Sequence, residues 1–440
     1  MRLPVNYPFP VSGWVAYLVH TTAAIAAVAF VAARRRGSDG LALRVFEIAT
    51  AVGAACALLA LTSGPVFIDF EKAYLYAGRV ALTEPSRLYE CTRGQCFVNI
   101  PIVALLFVPF APLSATVAGI LFSAAGALLL VAAVRRMARG AAADAIAWTA
   151  ILSGPIYYSV RIGNTTHMLL LPLMLAFDRL ASGSQTMAGM ILGAASLLKP
   201  PLALFLPYFL LRRQVRAATM MAGFAALAVA ASIALFGVEL HQFWFREFVL
   251  TQGSRPIAAY NVQSVNGFLG HLLTRGHLRD WYPIDAGLRF RMLSAGLSAA
   301  LAGAVAIACG RSGPPRDEAA RRVELWLVLC LTVLVAPISW THYDLLLLIP
   351  IAALLSQYAS LDRRSRAALV AALALIAPPV VVLSVQNRIG NALYERVLIS
   401  HYFAGAVLLL AVLIAERMRL AAAELGGRSP HHRVTSHPTV

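Results

Sequence analysis

Negative charge is scarce in this sequence, and lysine is almost absent. Among 440 residues there are 20 Asp and Glu against 37 Lys and Arg, and only Lys72 and Lys199 are lysines. Charged residues make up 13% of the chain and hydrophobic ones 60%. A soluble protein carries about a quarter charged residues, so this composition excludes one. The five cysteines make no metal site, and neither a metal nor a cofactor is expected. Cys56, Cys309 and Cys330 fall in or near apolar runs, where a thiol acts as a small apolar group. No repeat of about 20–50 residues is visible, which excludes a solenoid. Inverted halves of the transporter kind are also missing.

What the chain does have is apolar runs, with mean hydropathy +0.73. Many are long enough to cross a hydrocarbon core of roughly 30 Å as a helix. Backbone groups cannot stay unpaired in lipid, so the runs predict an all-α membrane bundle and not a barrel. About thirteen spans are expected, counted as Gly13–Ala33, Val45–Val66, Ser114–Val134, Asp144–Val160, Thr165–Ala181, Gln185–Leu198, Pro200–Leu211, Val215–Gly237, Leu288–Cys309, Val323–Ser339, Tyr343–Ser356, Ala367–Gln386 and Val397–Ala415. The first run has its basic residues behind it, the reverse of a secretory signal, and reads as a retained span.

The net charge of +17 does not point to nucleic acid, because of where it sits. Basic clusters lie between runs, at Arg34–Arg36, Arg135–Arg139, Arg212–Arg213, Arg321–Arg322 and Arg363–Arg364. Short arginine-rich loops stay in the cytoplasm. The N-terminus is then external, and the segments 67–100, 238–285 and Ser339–His342 face outward. Residues 1–420 read as one membrane domain and 421–440 as a disordered cytoplasmic tail. Arginine in place of lysine, with abundant alanine, suggests a GC-rich bacterial genome; the expected location is the bacterial inner membrane, with the periplasm outside.

The first outer loop concentrates the chemistry. Phe70, Ala73, Tyr74, Ala77 and Ala81 recur at helical spacing and predict an amphipathic helix along the membrane surface. Asp69 stands just before it, beside Phe67, Ile68 and Phe70. One reading is a helix N-cap, for which Asp is favoured. The other is a general base whose partial desolvation raises its pKa. Glu71 and Tyr74 share the loop. Further along, Cys91 and Cys96 are candidates for a small disulfide in an oxidising compartment, with two free thiols as the alternative.

The order Asp69-Phe70…Tyr74…Ala77…Leu88-Tyr89, then Pro101…Leu105–Leu113, resembles the first periplasmic loop of the polyprenol-phosphate-mannose-dependent mannosyltransferases, glycosyltransferase family 87 of the GT-C superfamily. Gly189–Pro200, Asn261–Gly267 and Pro337–Tyr343 match in the same order, so the likeness spans about residues 67–351. The chain departs from the family pattern at Gly163-Asn164-Thr165-Thr166, where Gly-Gln-Val-Asn is frequent, and at Thr341, where an acid is frequent.

The resemblance implies a GT-C-type bundle and a metal-independent, inverting transfer of mannose or a similar sugar. The donor would be a polyprenyl phosphate and the acceptor a hydroxyl on a lipid or glycan. The family's catalytic aspartate falls on Asp69. A leaving phosphate gains negative charge and needs cations beside it. Lys199, His342 and Arg255 are candidates, with Arg161 and Arg388 as further options. Glu71, Tyr74, Asn261, Gln263, Asn266 and Trp340 are candidates for sugar or acceptor contacts. A lipid flippase or small-solute transporter is the main alternative, but such proteins usually place ionisable residues at mid-membrane. An oligosaccharide ligase is the other, and it needs a long basic outer loop that Glu239–Arg291 only partly supplies.

Overall fold

The computed structural model describes residues 67–91, 95–137, 153–251, 255–274, 277–380 and 388–425. The expected spans Gly13–Ala33 and Val45–Val66 lie outside the described residues, as do residues 426–440 of the tail. Among the described residues the fold is all helical, with an isolated bridge from Val262 to Trp340 and no strand. Four of the described helices are long and apolar enough to cross a membrane alone: Ala115–Met137, Val215–Phe236, Gly287–Arg311 and Ala392–Glu424. Pro101–Phe110, Gln185–Leu198, Pro200–Leu211 and Thr341–Ser356 are apolar but shorter. Among the described residues, then, long helices alternate with shorter apolar ones where the expected spans lie. Proline is one reason for the shorter lengths: Pro200 and Pro201 interrupt what would otherwise be one long helix.

The longer elements are α1 (Ala115–Met137), α2 (Gly154–Ile162), α3 (Thr166–Ala181), α4 (Gln185–Leu198), α5 (Val215–Phe236), α6 (Gly287–Arg311), α7 (Glu318–Val335), α8 (Arg363–Ile376) and α9 (His401–Leu425). Helix α9 runs to Leu425, so residues 421–425, expected as part of the tail, are helical. Helices α4 and α5 pack through small residues. A Cβ at Gly189 would lie 2.5 Å from the Ala217 carbonyl oxygen, and one at Gly193 would lie 2.8 Å from that of Met221. In lipid, where hydrophobicity gives little drive for helix pairing, such close backbone approach supplies the dispersion contact.

The helices sort polar groups to two ends. At one end the arginines converge. Asp178, near the end of α3, accepts from Arg136 of α1 at 2.7 Å and from Arg322 of α7 at 2.6 Å. Glu324 of α7, fully buried, accepts from Arg417 of α9 at 2.8 Å and from Arg212 at 2.7 Å. Arg212 also reaches the Cys309 carbonyl at the end of α6, and Arg417 the Gly313 carbonyl beyond it. Helices α3, α4 and α7 connect this end to the other, where the first loop, Lys199 and the segment 337–343 meet.

The first loop does not simply rest on a surface. Phe70–Leu75 is wound as a π-helix and continues as Tyr76–Val80. Phe70, Ala73, Tyr74, Leu75 and Ala77 are buried within the protein. Phe70 stacks on Phe122 of α1 at 4.4 Å, and Tyr74 stacks on Phe107 of the Pro101–Phe110 helix at 4.6 Å. The predicted helical face is present, but aromatic side chains of the protein cover it. Cys91 and Cys96 are joined by a disulfide farther along this loop.

Candidate active site

The site is made by two chain reversals that meet. The first is the end of α2. Gly163 closes that helix with φ +73°, in the left-handed region that favours glycine. A Cβ there would also come within 2.6 Å of the Phe70 Cβ. Glycine thus serves both the turn and the close approach of the first loop. The Phe67 N–H donates to the Arg161 carbonyl at 2.6 Å and locks the two segments together. Asn164, the next residue, is left buried directly beside Asp69.

The second reversal is the end of α4. Lys199 precedes Pro200, and a residue before proline is pushed out of the helical region. It has φ −135° and ψ 85°, so the helix stops and the side chain turns inward. Lys199 is 4% exposed, which for a lysine demands a partner. Its amine donates to the Asn164 Oδ1 at 3.1 Å and lies 4.2 Å from the centroid of the Tyr343 ring. Tyr343 follows His342 in the short turn of 3-10 helix Thr341–Leu347.

Asn164 is the hub. Its Oδ1 also accepts from the Thr166 N–H at 3.2 Å and the Thr166 hydroxyl at 2.9 Å. A backbone N–H only donates, so this contact fixes which end of the amide is oxygen. The Nδ2 end then faces Asp69 Oδ2 at 3.4 Å and the Tyr74 hydroxyl at 3.3 Å. Asp69, Asn164 and Lys199 form one line: carboxylate, amide, amine.

The environment shifts both charged ends. Burial raises the Asp69 carboxyl from its ordinary 3.8 to about 6, against the lowering effects of the Asn164 hydrogen bond and the Lys199 charge. Burial lowers Lys199 from 10.5 to about 7, while Asp69 acts to raise it. His342 is held well below its usual range, first by burial and then by the nearby Lys199 and His167, so it is neutral at pH 7. Burial also pushes the Tyr74 phenol above its ordinary value, with Asp69 adding to the shift. A carboxylate able to take a proton and an amine able to hold one titrate here within about a unit of neutrality, which is the usual condition for general acid–base work.

The chain matches the sequence model of glycosyltransferase family 87 over residues 97–337. That is more than half of its length. The chain belongs to glycosyltransferase family 87. No curated protein and no solved structure matches it. The family match takes in Asn164 and Lys199, while Asp69 lies upstream of it and His342 just beyond.

The remaining expected residues of this family 87 chain fall in several places. Asp69 precedes the loop helix as expected, but its side chain makes no capping bond; it has helical backbone angles and turns to Asn164. Glu71 pairs with its neighbour Lys72. Arg255 is exposed, and its backbone N–H donates to the Thr251 carbonyl. The side chain of Arg388 lies outside the described residues. Arg161 is buried and donates to the Tyr157 hydroxyl.

The segment 261–266 is tied into the frame. Gln263 is fully buried, and its amide donates to the Tyr260 and Ile399 carbonyls at 2.8 and 3.0 Å. Asn266 donates to the Pro337 carbonyl at 3.1 Å. Asn261 takes the Trp281 indole N–H at 3.0 Å, and its carbonyl takes the Thr341 N–H at 2.8 Å. Trp340 is bridged through its backbone to Val262. These residues hold the turn that carries His342 and Tyr343, so they act on the cluster through that turn.

The residue that sequence reasoning passes over is Asn164. Its signal is present as the departure Gly163-Asn164-Thr165-Thr166, read there as a difference from a family and not as the centre of a site.

Proposed function

We propose that this chain transfers a sugar, mannose or one like it, from a polyprenyl-phosphate donor to an acceptor hydroxyl with inversion, on the outer face of a bacterial inner membrane. The observation that carries the reading is the Asp69–Asn164–Lys199 line. It puts a base and a cation in one cluster, at the end of the bundle away from the arginines. Short arginine-rich connections favour the cytoplasmic side, so the cluster belongs to the outer side.

The chemistry follows from the two ends of the line. The Asp69 carboxylate removes the proton of the acceptor hydroxyl as its oxygen attacks the anomeric carbon. The bond from that carbon to the phosphate oxygen breaks, and its electron pair stays on the phosphate. Lys199 in its charged form stabilises the growing negative charge, an effect strongest in a site shielded from water. His342 is neutral, so its role toward the phosphate is a hydrogen bond and not a second charge. A single displacement inverts the anomeric centre. Tyr74 and Glu71 flank Asp69 on the loop helix and are the nearest candidates for acceptor contacts. A carbohydrate transferase of this kind needs no metal in the step.

The test is an assay of the purified full-length protein with radiolabelled polyprenyl-phosphate sugars and a membrane-lipid extract. Wild type should transfer label, and Asp69→Asn should lower the rate about a hundredfold or more. Because the Asp69 carboxylate makes no capping bond, the variant should fold normally. Near-normal turnover by Asp69→Asn would remove Asp69 from the role of base and point to Glu71.

A further inference from the structure

We infer that Asn164 is a spacer: its amide, clamped by Thr166, keeps the Lys199 amine and the Asp69 carboxylate from closing into a direct ion pair. The inference rests on the proposed transfer reaction for its use, but its physical basis stands on the contacts alone.

Two opposite buried charges a few ångströms apart attract strongly in a medium of low dielectric. The ordinary outcome is direct contact, and the opposite end of this molecule shows it: Glu324 is held directly by Arg417 and Arg212. At the site the same pressure exists, yet no direct contact forms between Lys199 and Asp69. The amine instead ends on Asn164 Oδ1, and the carboxylate faces Asn164 Nδ2. The amide has the dipole that suits both ends, positive toward the carboxylate and negative toward the amine.

Asn164 cannot swing aside. Thr166 grips its oxygen through both the backbone N–H and the hydroxyl, at 3.2 and 2.9 Å. Tyr74, itself buried, borders the Nδ2 end. Gly163 fixes the backbone just before it. The spacer is therefore better anchored than either flexible group it separates.

The consequence for chemistry is specific. A carboxylate closed onto an ammonium has one oxygen engaged and is a weaker base, because the adjacent positive charge favours its ionised form. An ammonium closed onto a carboxylate has much of its charge offset and serves a phosphate less well. Asn164 lets each group feel the other without consuming it. This makes Asn164 a positioning residue, acting through Asp69 and Lys199.

The charged and titratable groups that face the pair are few. Asp69 is met by Tyr74 from its own helix, by Tyr343 from the 341–347 turn and by Lys199. Lys199 is met by Asp69, by His342 and Tyr343 of the turn, and by His167 of α3. Arg161, whose carbonyl holds Phe67, directs its guanidinium to Tyr157. None of these other groups carries a negative charge near pH 7 that would compete with Asp69 for the amine.

The experiment is an infrared titration of the full-length protein in detergent. The carbonyl stretch of protonated Asp69 is identified by its loss in Asp69→Asn. Asn164→Leu keeps nearly the same shape and removes both hydrogen-bonding ends. With the spacer gone, Lys199 should close onto Asp69, and the Asp69 midpoint should fall by about one pH unit or more below wild type. If Asn164 is only a hydrogen-bond donor to Asp69, its loss should raise the midpoint, because the carboxylate loses a lowering contact. A raised or unmoved midpoint overturns the inference.

Asn164→Leu/Lys199→Met separates the causes: with no amine to close, the midpoint should rise above wild type. A double variant that stays as low as Asn164→Leu also overturns it. Asn164→Ala carries the same prediction where the leucine variant does not fold. The titration reads ionisation and not turnover. Absence of sugar transfer by wild type would sink the proposed reaction and leave this result intact.

Discussion

Two clusters of buried charge, at opposite ends of the bundle, solve the same problem differently. At the arginine end, Glu324 contacts Arg212 and Arg417 directly, and the two guanidinium groups also reach the carbonyls of Cys309, in the last turn of α6, and Gly313, just beyond it. At the other end, Asp69 and Lys199 are separated by one amide. The arginine cluster consumes its charges in structure. The Asp69 cluster leaves them available, at a cost in stability that burial makes plain in both groups' shifted titration. Direct pairing suits a joint between helices, and spaced pairing suits a group that must exchange a proton.

The sharpest break in this comparison would come from Glu324. Glu324→Ala leaves two arginines facing each other in a buried site, and losing one partner of such a cluster costs about 3–5 kcal/mol. The expected outcome is a large fall in the thermal midpoint in detergent, while the folded fraction keeps its specific activity. Asp69→Asn should do the reverse, losing activity and keeping the midpoint. If Asp69→Asn destabilises as much as Glu324→Ala, the two ends do not differ in kind.

A second test uses pH. Folded Asp69 keeps its proton up to about 6, where the unfolded chain releases it near 3.8. Its stabilising effect is therefore present below 3.8 and lost as pH rises toward 6. Folded Lys199 gives up its proton near 7, where the unfolded chain holds it to 10.5. The cost of burying its charge is thus fully felt below 7 and relieved as pH rises from 7 to 10.5. The site contributes least to stability between about 6 and about 7. In that same window Asp69 is ionised and Lys199 charged, so transfer should be fastest there. It should fall about tenfold per unit on each side, because each limb is a single titration. Lys199→Arg, always charged, should remove the basic limb and keep the acidic one. A flat profile from pH 5 to 8 would contradict the assignment.

The smallest effect is expected at Asp178. It bridges Arg136 and Arg322 at the arginine end, but its side chain is 27% exposed, against none for Glu324. Water screens such a pair, so Asp178→Asn should cost about 1 kcal/mol and respond to salt, as exposed pairs do. A cost equal to that of Glu324→Ala would show that burial does not set the strength of the arginine joints.

By itself the sequence determined the class of the fold. Apolar runs with unpaired backbone have no option in lipid but the helix, and the arginine clusters between runs mark one end of the bundle because charge prefers that side of a membrane. It also singled out Asp69, Tyr74, Lys199 and His342, since a loop carrying acids, a rare lysine and a polar turn stand out against an apolar chain. It separated Gln185–Leu198 from Pro200–Leu211 at the prolines, and both are apolar helices too short to rank with the four long ones. It mistook the loop helix for a surface element: the periodicity of Phe70, Tyr74 and Ala77 reports a face that is covered, and not by what. Only the tertiary structure decided that Phe107 and Phe122 cover it, that Gln263 and Asn266 brace a turn, and that Asn164 stands between Asp69 and Lys199. Asn164 lies 95 residues from Asp69 and 35 from Lys199 along the chain. No local pattern records such a meeting, because it is made by a glycine turn and a proline break that bring distant segments to one point.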